Sequence, residues 1–473
     1  MSKRHLLFLI IFLEGYVVLA AELLAIRTLI PFVGSGIEVV SIIIGAVLLP
    51  LAVGYWAGGR RAQQELGRAR ANGRRTLSLR ALLQRNLIIA LGILSIGLSY
   101  VLQEEFFAQL TKAGLTHRIA QTAVYAVLFL VYPTYLLAQT VPLVSNYFSR
   151  ARLAEITGRM LFFSTAGSFF GSIVSTLLLM TFIGVNNTVT LTMLLLGILV
   201  LLVTPKQRMK YNGVTLFIVL LVWLFNSDAL MQEMDGVADT PYSRIALLNM
   251  SDGEKILSIN RSFSSKFSVD PEKRFPYVQF IEKYFINKLP TDKEHNILVL
   301  GAGGFVIGWD DKRNQYTFVD IDPALKEISE KKYLPEPLSP NKHFEATSAR
   351  AYLTRTDKKF DLVIMDVYAN LISMPAEAIT DGFLRDVKKV MKPDGALIAN
   401  IISNPAFSNK FSVRYYNTFA SVFPTFNRQI IGDFDPWSPT QYANTLYIYY
   451  NKQSVNEDRG IYTDDKNTYS LDH

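Results

Sequence analysis

Two acidic residues follow apolar runs at positions where they could bind a ligand. The first follows Leu298-Val-Leu-Gly301-Ala-Gly303-Gly304, a glycine-rich turn after an apolar run, and Asp320 comes 19 residues after Gly301. Such a turn lets the backbone approach a ligand, and an acid about 20 residues further on can accept both hydroxyl hydrogens of a ribose. This spacing predicts a nucleoside site; the alternative is a tight strand-to-helix turn with a surface acid.

The second acid is Asp366, which ends the apolar run Phe360-Asp-Leu-Val-Ile-Met. Ligands of open α/β sheets bind beyond the carboxyl ends of the strands. A carboxylate at such a strand end can hold an amine or accept a proton. The alternative is an acid that caps a loop, and position alone does not separate the two interpretations.

Alternating strands and helices must position these acids. Five apolar runs predict strands, at 296–300, 316–320, 343–346, 360–366 and 396–401. Helical segments are predicted at 276–289, 323–332 and 380–391. The alternation predicts a doubly wound, mainly parallel sheet in a Rossmann-like α/β domain at 276–452. Upstream, residues 240–260 alternate around Asp252-Gly253 as a hairpin does, which predicts a small β subdomain at 238–275.

The first half of the chain is apolar enough to cross a membrane. Half of the 473 residues are hydrophobic and 19% are charged, against about 25% in ordinary soluble proteins. Seven segments reach the roughly 20 apolar residues of a membrane helix, at 6–26, 37–58, 86–103, 120–142, 160–182, 187–204 and 212–230. They predict an all-α membrane domain at 1–230, and a polar tail is expected at 453–473. No cleaved signal peptide is expected, because further apolar segments follow the first.

The net charge of +8 is unevenly distributed. Residues 1–227 hold 19 Lys/Arg and 7 Asp/Glu, whereas the rest of the chain holds 29 and 33. A basic excess within the apolar half argues against a nucleic-acid partner and for the positive-inside rule. Basic residues concentrate in alternate links, at 60–85, 143–159 and 205–210. The rule places these links in the cytoplasm and everything after residue 230 on the other side.

The chain has no cysteine and five histidines. Disulfides, thiolate catalysis and Cys-ligated zinc are therefore excluded. No His, Asp and Glu cluster has the spacing of metal ligands, so no metal site is expected.

These motifs resemble the polyamine aminopropyltransferases, the spermidine synthase family. The resemblance covers about 240–402 and is clearest in Asp361–Ile401, with Pro375-Ala-Glu377 and Met391-Lys-Pro-Asp-Gly395. Thr240–Ile245 is similar to the family's small strand domain. The apolar half is similar to the multi-span region fused to some bacterial members, which implies a multi-pass protein of the bacterial inner membrane.

The resemblance implies transfer of an aminopropyl group from decarboxylated S-adenosylmethionine, the co-substrate, to a small amine. It implies that Asp366 orients or deprotonates the amine. The implied co-substrate residues are Gly301, Gly303, Asp320 and Ser348, and the implied amine-binding residues are Tyr242, Asn260, Tyr277 and Tyr368. We also expect a homo-oligomer, formed through the soluble domain or the membrane helices.

Three acids of the family pattern are replaced here, by Gly304, by Thr347-Ser348 and by Ala369. The charge rule also places the domain opposite the compartment in which adenosyl sulfonium compounds are made. Three functions therefore stay open. They are a membrane-anchored aminopropyltransferase, a non-catalytic binding or scaffold module facing the periplasm, and a transporter-like protein with a soluble sensor domain.

Overall fold

Seven helical segments of the apolar half are long and apolar enough to cross a membrane, counted over the described residues. A computed structural model describes residues 3–71, 75–148, 153–250, 254–368, 374–432, 434–435 and 441–451. The spans, numbered 1 to 7, are Arg4–Val33, Ile37–Glu65, Leu79–Leu98, Arg118–Ser145, Ala154–Ile183, Val185–Val203 and Tyr211–Glu233. The seven predicted segments thus correspond to seven helices, which fit a multi-pass membrane protein.

The bounds of the third span differ from the prediction, because its helix ends at Leu98 and a separate helix begins at Tyr100. The helices of this half are α1 (Lys3–Val33), α2 (Ile37–Ala71), α3 (Arg75–Leu98), α4 (Tyr100–Lys112), α5 (Arg118–Ala126), α6 (Tyr132–Ala138), α7 (Thr140–Ser145), α8 (Leu153–Ile173), α9 (Met180–Ile183), α10 (Val185–Val203), α11 (Tyr211–Phe225) and α12 (Asp228–Glu233). Two π-helical turns join α5 to α6 and α8 to α9, at Val127–Val131 and Val174–Leu179.

The soluble half contains two sheets. The first is antiparallel, with β1 (Gly236–Asp239), β2 (Arg244–Asn249), β3 (Lys255–Ile259) and β4 (Ser262–Phe267). The predicted hairpin pairs β2 with β3, and its turn at Asp252-Gly253 lies outside the described residues. The second sheet has the order β10-β11-β9-β8-β5-β6-β7. Its five strands β9, β8, β5, β6 and β7 are parallel, and β11 and β10 are antiparallel at one edge.

The strands of the second sheet are β5 (Asn296–Leu300), β6 (Gln315–Asp320), β7 (Lys342–Ala346), β8 (Phe360–Met365), β9 (Met391–Ser403), β10 (Asn427–Ile431) and β11 (Ala443–Tyr450). The helices around it are α13 (Pro276–Tyr284), α14 (Ala324–Ile328), α15 (Ala349–Arg355), α16 (Asp381–Val390) and α17 (Lys410–Val422). The five predicted strands are confirmed, and the mainly parallel Rossmann-like arrangement with them. Helices α15 and α17 and strands β10 and β11 are not among the predicted elements. The predicted polar tail lies outside the described residues.

Both faces of the larger sheet are buried. Ile297 and Val299 of β5 pack into the core on one face, whereas Leu298 and Leu300 pack into the core on the other. Alternate residues of a strand point to opposite faces, so a strand buried on both sides reads as a continuous apolar run. This explains why β5 is visible in the sequence.

A buried arginine joins the first span to the soluble half. The Arg27 guanidinium of α1 contacts Asp239 Oδ1 at 2.7 Å and donates to the Thr240 carbonyl, from Nε at 2.8 Å. Arg27 is 5% exposed, and a buried charge is stable only when paired and hydrogen-bonded. The adjoining Arg244 stacks on Tyr100 of α4, with 3.6 Å from guanidinium carbon to ring centroid. The start of the small sheet is therefore held against the helix ends.

The number of spans sets where the soluble half sits. Consecutive spans joined by short links run in opposite directions, and seven of them place the soluble half at the end opposite the basic links. The contacts of Arg27 and Tyr100 lie at that same end of the helices.

Candidate active site

The glycine-rich turn after β5 brings two backbone segments into close contact. Gly301 has φ +90°, and a Cβ atom there would lie 2.1 Å from the Asp366 carbonyl oxygen. Gly303 has φ +50°, and a Cβ atom there would lie 2.7 Å from Ser265 Oγ. A larger residue would be strained at φ values of this kind and would close the turn. The turn thus presents backbone without side chains beside the ends of β6 and β8, and it is called the glycine cradle below.

Asp320 ends β6 next to this turn. Its Oδ2 accepts a hydrogen bond from the Ala302 backbone NH at 3.0 Å, and its Oδ1 accepts one from the Asp322 NH at 3.1 Å. Burial raises the pKa of Asp320 to about 6, although both hydrogen bonds favour the charged form. The group is ionised at neutral pH, with lone pairs left to accept from two hydroxyl groups.

Asp366 follows β8 and is held by two side chains. Tyr277 Oη donates to its Oδ2 at 2.9 Å, and Asn400 Nδ2 donates to its Oδ1 at 3.0 Å. Burial raises the pKa of Asp366 to about 6, and burial together with this carboxylate raises the pKa of Tyr277 well above its usual value. At neutral pH Asp366 is therefore a fixed carboxylate and Tyr277 a neutral donor, an arrangement able to orient an amine.

All nine site residues named from the sequence line one cavity of about 790 Å³. This volume lies within the usual range for small-molecule sites, about 300–1,000 Å³. Besides those described above, the cavity is lined by Tyr242, Asn260, Ser348 and Tyr368. The structure brings the nine residues together, and their individual roles are part of the proposal below.

These four residues differ in how they are held. Asn260 Oδ1 accepts from the Arg244 NH at 2.9 Å, and Ser348 Oγ accepts from the Ala351 NH at 3.2 Å. Tyr368 Oη donates to the Asn400 carbonyl at 3.2 Å. Tyr242 is 44% exposed. Three are thus held by backbone hydrogen bonds, while Tyr242 stands at the rim.

Sequence reasoning missed Asn400 and the role of Asp322. Asn400 belongs to no motif, and its partner Asp366 is 34 residues away. Asp322 accepts hydrogen bonds from the hydroxyls of Thr240, at 2.6 Å, and Ser243. A continuous set of contacts thus runs from Arg27 through Thr240 and Asp322 to Asp320. The Asp322 position was visible in Phe318–Pro323, but its partners lie about 80 residues earlier.

The structure accounts for one of the three replaced acids. A Cβ atom on Gly304 would lie 2.3 Å from Tyr333 Cε1, so the ring fills the space that an acidic side chain would need. Ser348 caps α15 instead of bearing a charge, and Ala369 lies outside the described residues. Within the described ranges, no group of three or more His, Asp or Glu side chains is placed to hold a metal ion.

Two curated relatives carry the same name. A polyamine aminopropyltransferase of Vibrio vulnificus is 25% identical over 161 residues, which cover 33% of this chain and 53% of the relative. A polyamine aminopropyltransferase of Sulfolobus acidocaldarius is 25% identical over 182 residues, covering 36% of this chain and 60% of the relative. The chain therefore matches little more than half the length of either relative. No family model matches the chain.

Among solved structures, a probable spermidine synthase from Corynebacterium glutamicum is similar, with a TM-score of 0.39 and 21% identity. The match covers 45% of this chain and 78% of that one. The resemblance read from the motifs is confirmed by the named relatives, at low identity. Over about a third of its length, this chain is thus similar to proteins named polyamine aminopropyltransferase.

Proposed function

We propose that this protein is a membrane-anchored aminopropyltransferase. It moves an aminopropyl group from decarboxylated S-adenosylmethionine to an amine acceptor. The observation that carries the proposal is the pairing of Asp320 and Asp366, two partly buried carboxylates at the ends of parallel strands, with a glycine cradle between them. The naming of both curated relatives supports the same chemistry.

In this proposal Asp320 binds the ribose hydroxyls, and the turn at Gly301 and Gly303 lets the nucleoside approach the backbone. Asp366 orients the acceptor amine and takes its proton, while Tyr277 and Asn400 hold the carboxylate in place. When the amine and the sulfonium carbon are held in line, the activation barrier falls, because their translational and rotational entropy is already lost on binding. The donor needs no further activation, since its sulfonium releases a neutral thioether, which is a good leaving group.

The full chain in detergent, titrated calorimetrically with decarboxylated and with ordinary S-adenosylmethionine, tests the binding part of the proposal. We expect micromolar binding of the decarboxylated compound, because the anionic cavity favours a ligand without a carboxylate of its own. No heat with either compound at millimolar concentration would overturn the proposal and favour a non-catalytic module.

The orientation in the membrane is a second proposal, and it follows from the charge distribution. We propose that the protein lies in the bacterial inner membrane with its basic links in the cytoplasm and its soluble half on the other side. This orientation requires the adenosyl sulfonium to be supplied on that outer side.

Single cysteines introduced into the cysteine-free chain would report the orientation. Val269 is 81% exposed on the soluble half, and Lys206 lies in the link between spans 6 and 7. In spheroplasts, a membrane-impermeant maleimide should label Val269→Cys, whereas Lys206→Cys should react only after permeabilisation. The reverse pattern would overturn the orientation and leave the proposed reaction untouched.

A further inference from the structure

The candidate cavity reaches the ends of the membrane helices. Besides the sheet residues, its wall includes Ile30 at the end of span 1, and Ile37 and Val40 at the start of span 2. In the proposed membrane orientation, the link between the two spans, residues 34–36, is where the chain leaves and re-enters the apolar layer. One end of the cavity therefore lies at the level of the membrane surface.

The cavity wall includes exposed apolar side chains, here called the rim. Ile37 is 78% exposed and Phe263 is 59% exposed, and both line the cavity. Burying such surface under a hydrocarbon chain is favourable, whereas a short, doubly charged diamine has only a few methylene groups to bury against it. The rim thus suits a ligand with an apolar part.

The carboxylates of the cavity suit a single amine. Among its described lining residues the acids are Asp320, Asp322 and Asp366. Asp322 Oδ2 accepts from the hydroxyls of Thr240 and Ser243, and its Oδ1 accepts from the Ala324 NH at 3.1 Å. With Asp320 assigned to the ribose, Asp366 is left for one ammonium group. A second ammonium on the acceptor would lack a charged partner among the described lining residues.

We propose that the acceptor is a membrane lipid whose headgroup ends in a primary amine. Its chains stay in the bilayer beside Ile30, Ile37 and Val40, and its amine reaches Asp366. This inference rests on the proposed aminopropyl transfer and names its acceptor.

The step balances without a further reactant. The ammonium gives one proton to the Asp366 carboxylate, and the nitrogen lone pair then attacks the propyl carbon bonded to the sulfonium. A C–N bond forms as the C–S bond breaks, and that electron pair returns to sulfur. The products are a secondary ammonium on the lipid and the neutral thioether methylthioadenosine. The proton on Asp366 passes to solvent.

The full chain reconstituted in vesicles tests this assignment. One set contains phosphatidylethanolamine and phosphatidylglycerol, and the other contains phosphatidylcholine and phosphatidylglycerol with 1,4-diaminobutane in solution. Both receive decarboxylated S-adenosylmethionine, and mass spectrometry follows the lipids, the diamine and methylthioadenosine. We expect an aminopropylated lipid and an equal amount of methylthioadenosine in the first set alone.

Two other outcomes would overturn the lipid acceptor. Aminopropylated diamine with unmodified phosphatidylethanolamine would overturn the lipid acceptor and support the proposed transfer. No methylthioadenosine in either set would overturn both.

Variants of the rim separate an apolar binding surface from mere proximity to the membrane. Ile37→Ser and Phe263→Ser should each raise the apparent KM for the lipid roughly tenfold, with the affinity for the sulfonium unchanged. Val269→Ser is the matched control, because Val269 is as exposed but lies outside the cavity. A KM equal to that of the control would contradict the proposed role of the rim.

Discussion

Replacing Asp366 with asparagine should reduce aminopropyl transfer by about 10²- to 10⁴-fold, the usual contribution of a general base. The amide keeps the size of the side chain and can still accept from Tyr277, but it cannot take a proton or balance an ammonium. Because Asp366 is assigned to the amine and not to the nucleoside, binding of decarboxylated S-adenosylmethionine should change by less than about threefold. Methylthioadenosine release measures the first quantity and calorimetry the second.

The pH profile supplies a second readout, measured at saturating adenosyl sulfonium because burial raises the pKa of Asp320 to about 6 as well. Burial raises the pKa of Asp366 to about 6, so the reactive carboxylate is lost as the pH falls through 6. The transfer rate should therefore rise between pH 5 and 7 with a midpoint near 6.

Loss of fold can be separated from loss of chemistry in the Asp366→Asn variant. The raised pKa means that the folded protein binds a proton more tightly than the unfolded chain. Because of Asp366, the free energy of unfolding therefore decreases as the pH rises from about 4 to 6. At pH 7.5 the variant should melt at the same temperature as the parent or above it. A stable variant with parental rates would refute the assignment, and Asp357→Asn, at an exposed acid outside the cavity, serves as the control.

Replacing Asp320 with alanine should abolish measurable binding of the adenosyl sulfonium. The carboxylate is assigned two ribose hydroxyls, and a hydrogen bond to a charged group is worth about 1.5–3 kcal/mol. Losing both should weaken binding by roughly 10²- to 10⁴-fold. Calorimetric titration of the full chain measures the effect, and Asp357→Ala should bind as the parent does.

Asp320→Asn distinguishes ligand binding from support of the glycine turn. Asp320 also accepts from the Ala302 NH at 3.0 Å, and asparagine can keep that hydrogen bond while losing one acceptor oxygen. We expect its affinity to lie between those of the parent and Asp320→Ala. Intact binding in Asp320→Ala would remove Asp320 from the ribose, and parental binding in Asp320→Asn would show that the residue only supports the turn.

Local patterns were enough to locate the two acids and the strands that end in them. Ile297–Leu300 before Gly301 and Leu362–Met365 before Asp366 are buried on both faces, so each appears as an unbroken apolar segment. Parallel strands β5, β6 and β8 are neighbours, and their carboxyl ends meet at one edge. An acid that ends one of these strands in the sequence therefore lies in the site once the sheet has formed.

Other parts of the site could not be read in the same way. Asn400 stands in an apolar strand without a motif, and only the pairing of β9 with β8 brings it to Asp366. Gly304 could be seen to replace an acid, but the reason, the ring of Tyr333, lies 29 residues away.

By itself, the sequence determined the seven apolar spans, the charge asymmetry, the parallel strands and the acids at their ends. These features depend on residues that are close in the chain, and so they leave a periodic or compositional signal. The tertiary structure decided how the two halves meet. Arg27 donates a hydrogen bond to the carbonyl of Thr240, which is 213 residues further along the chain. Ile30 and Ile37 line the same cavity as residues of the distant sheet. No local pattern encodes such contacts, because they depend on how two separately folded surfaces dock.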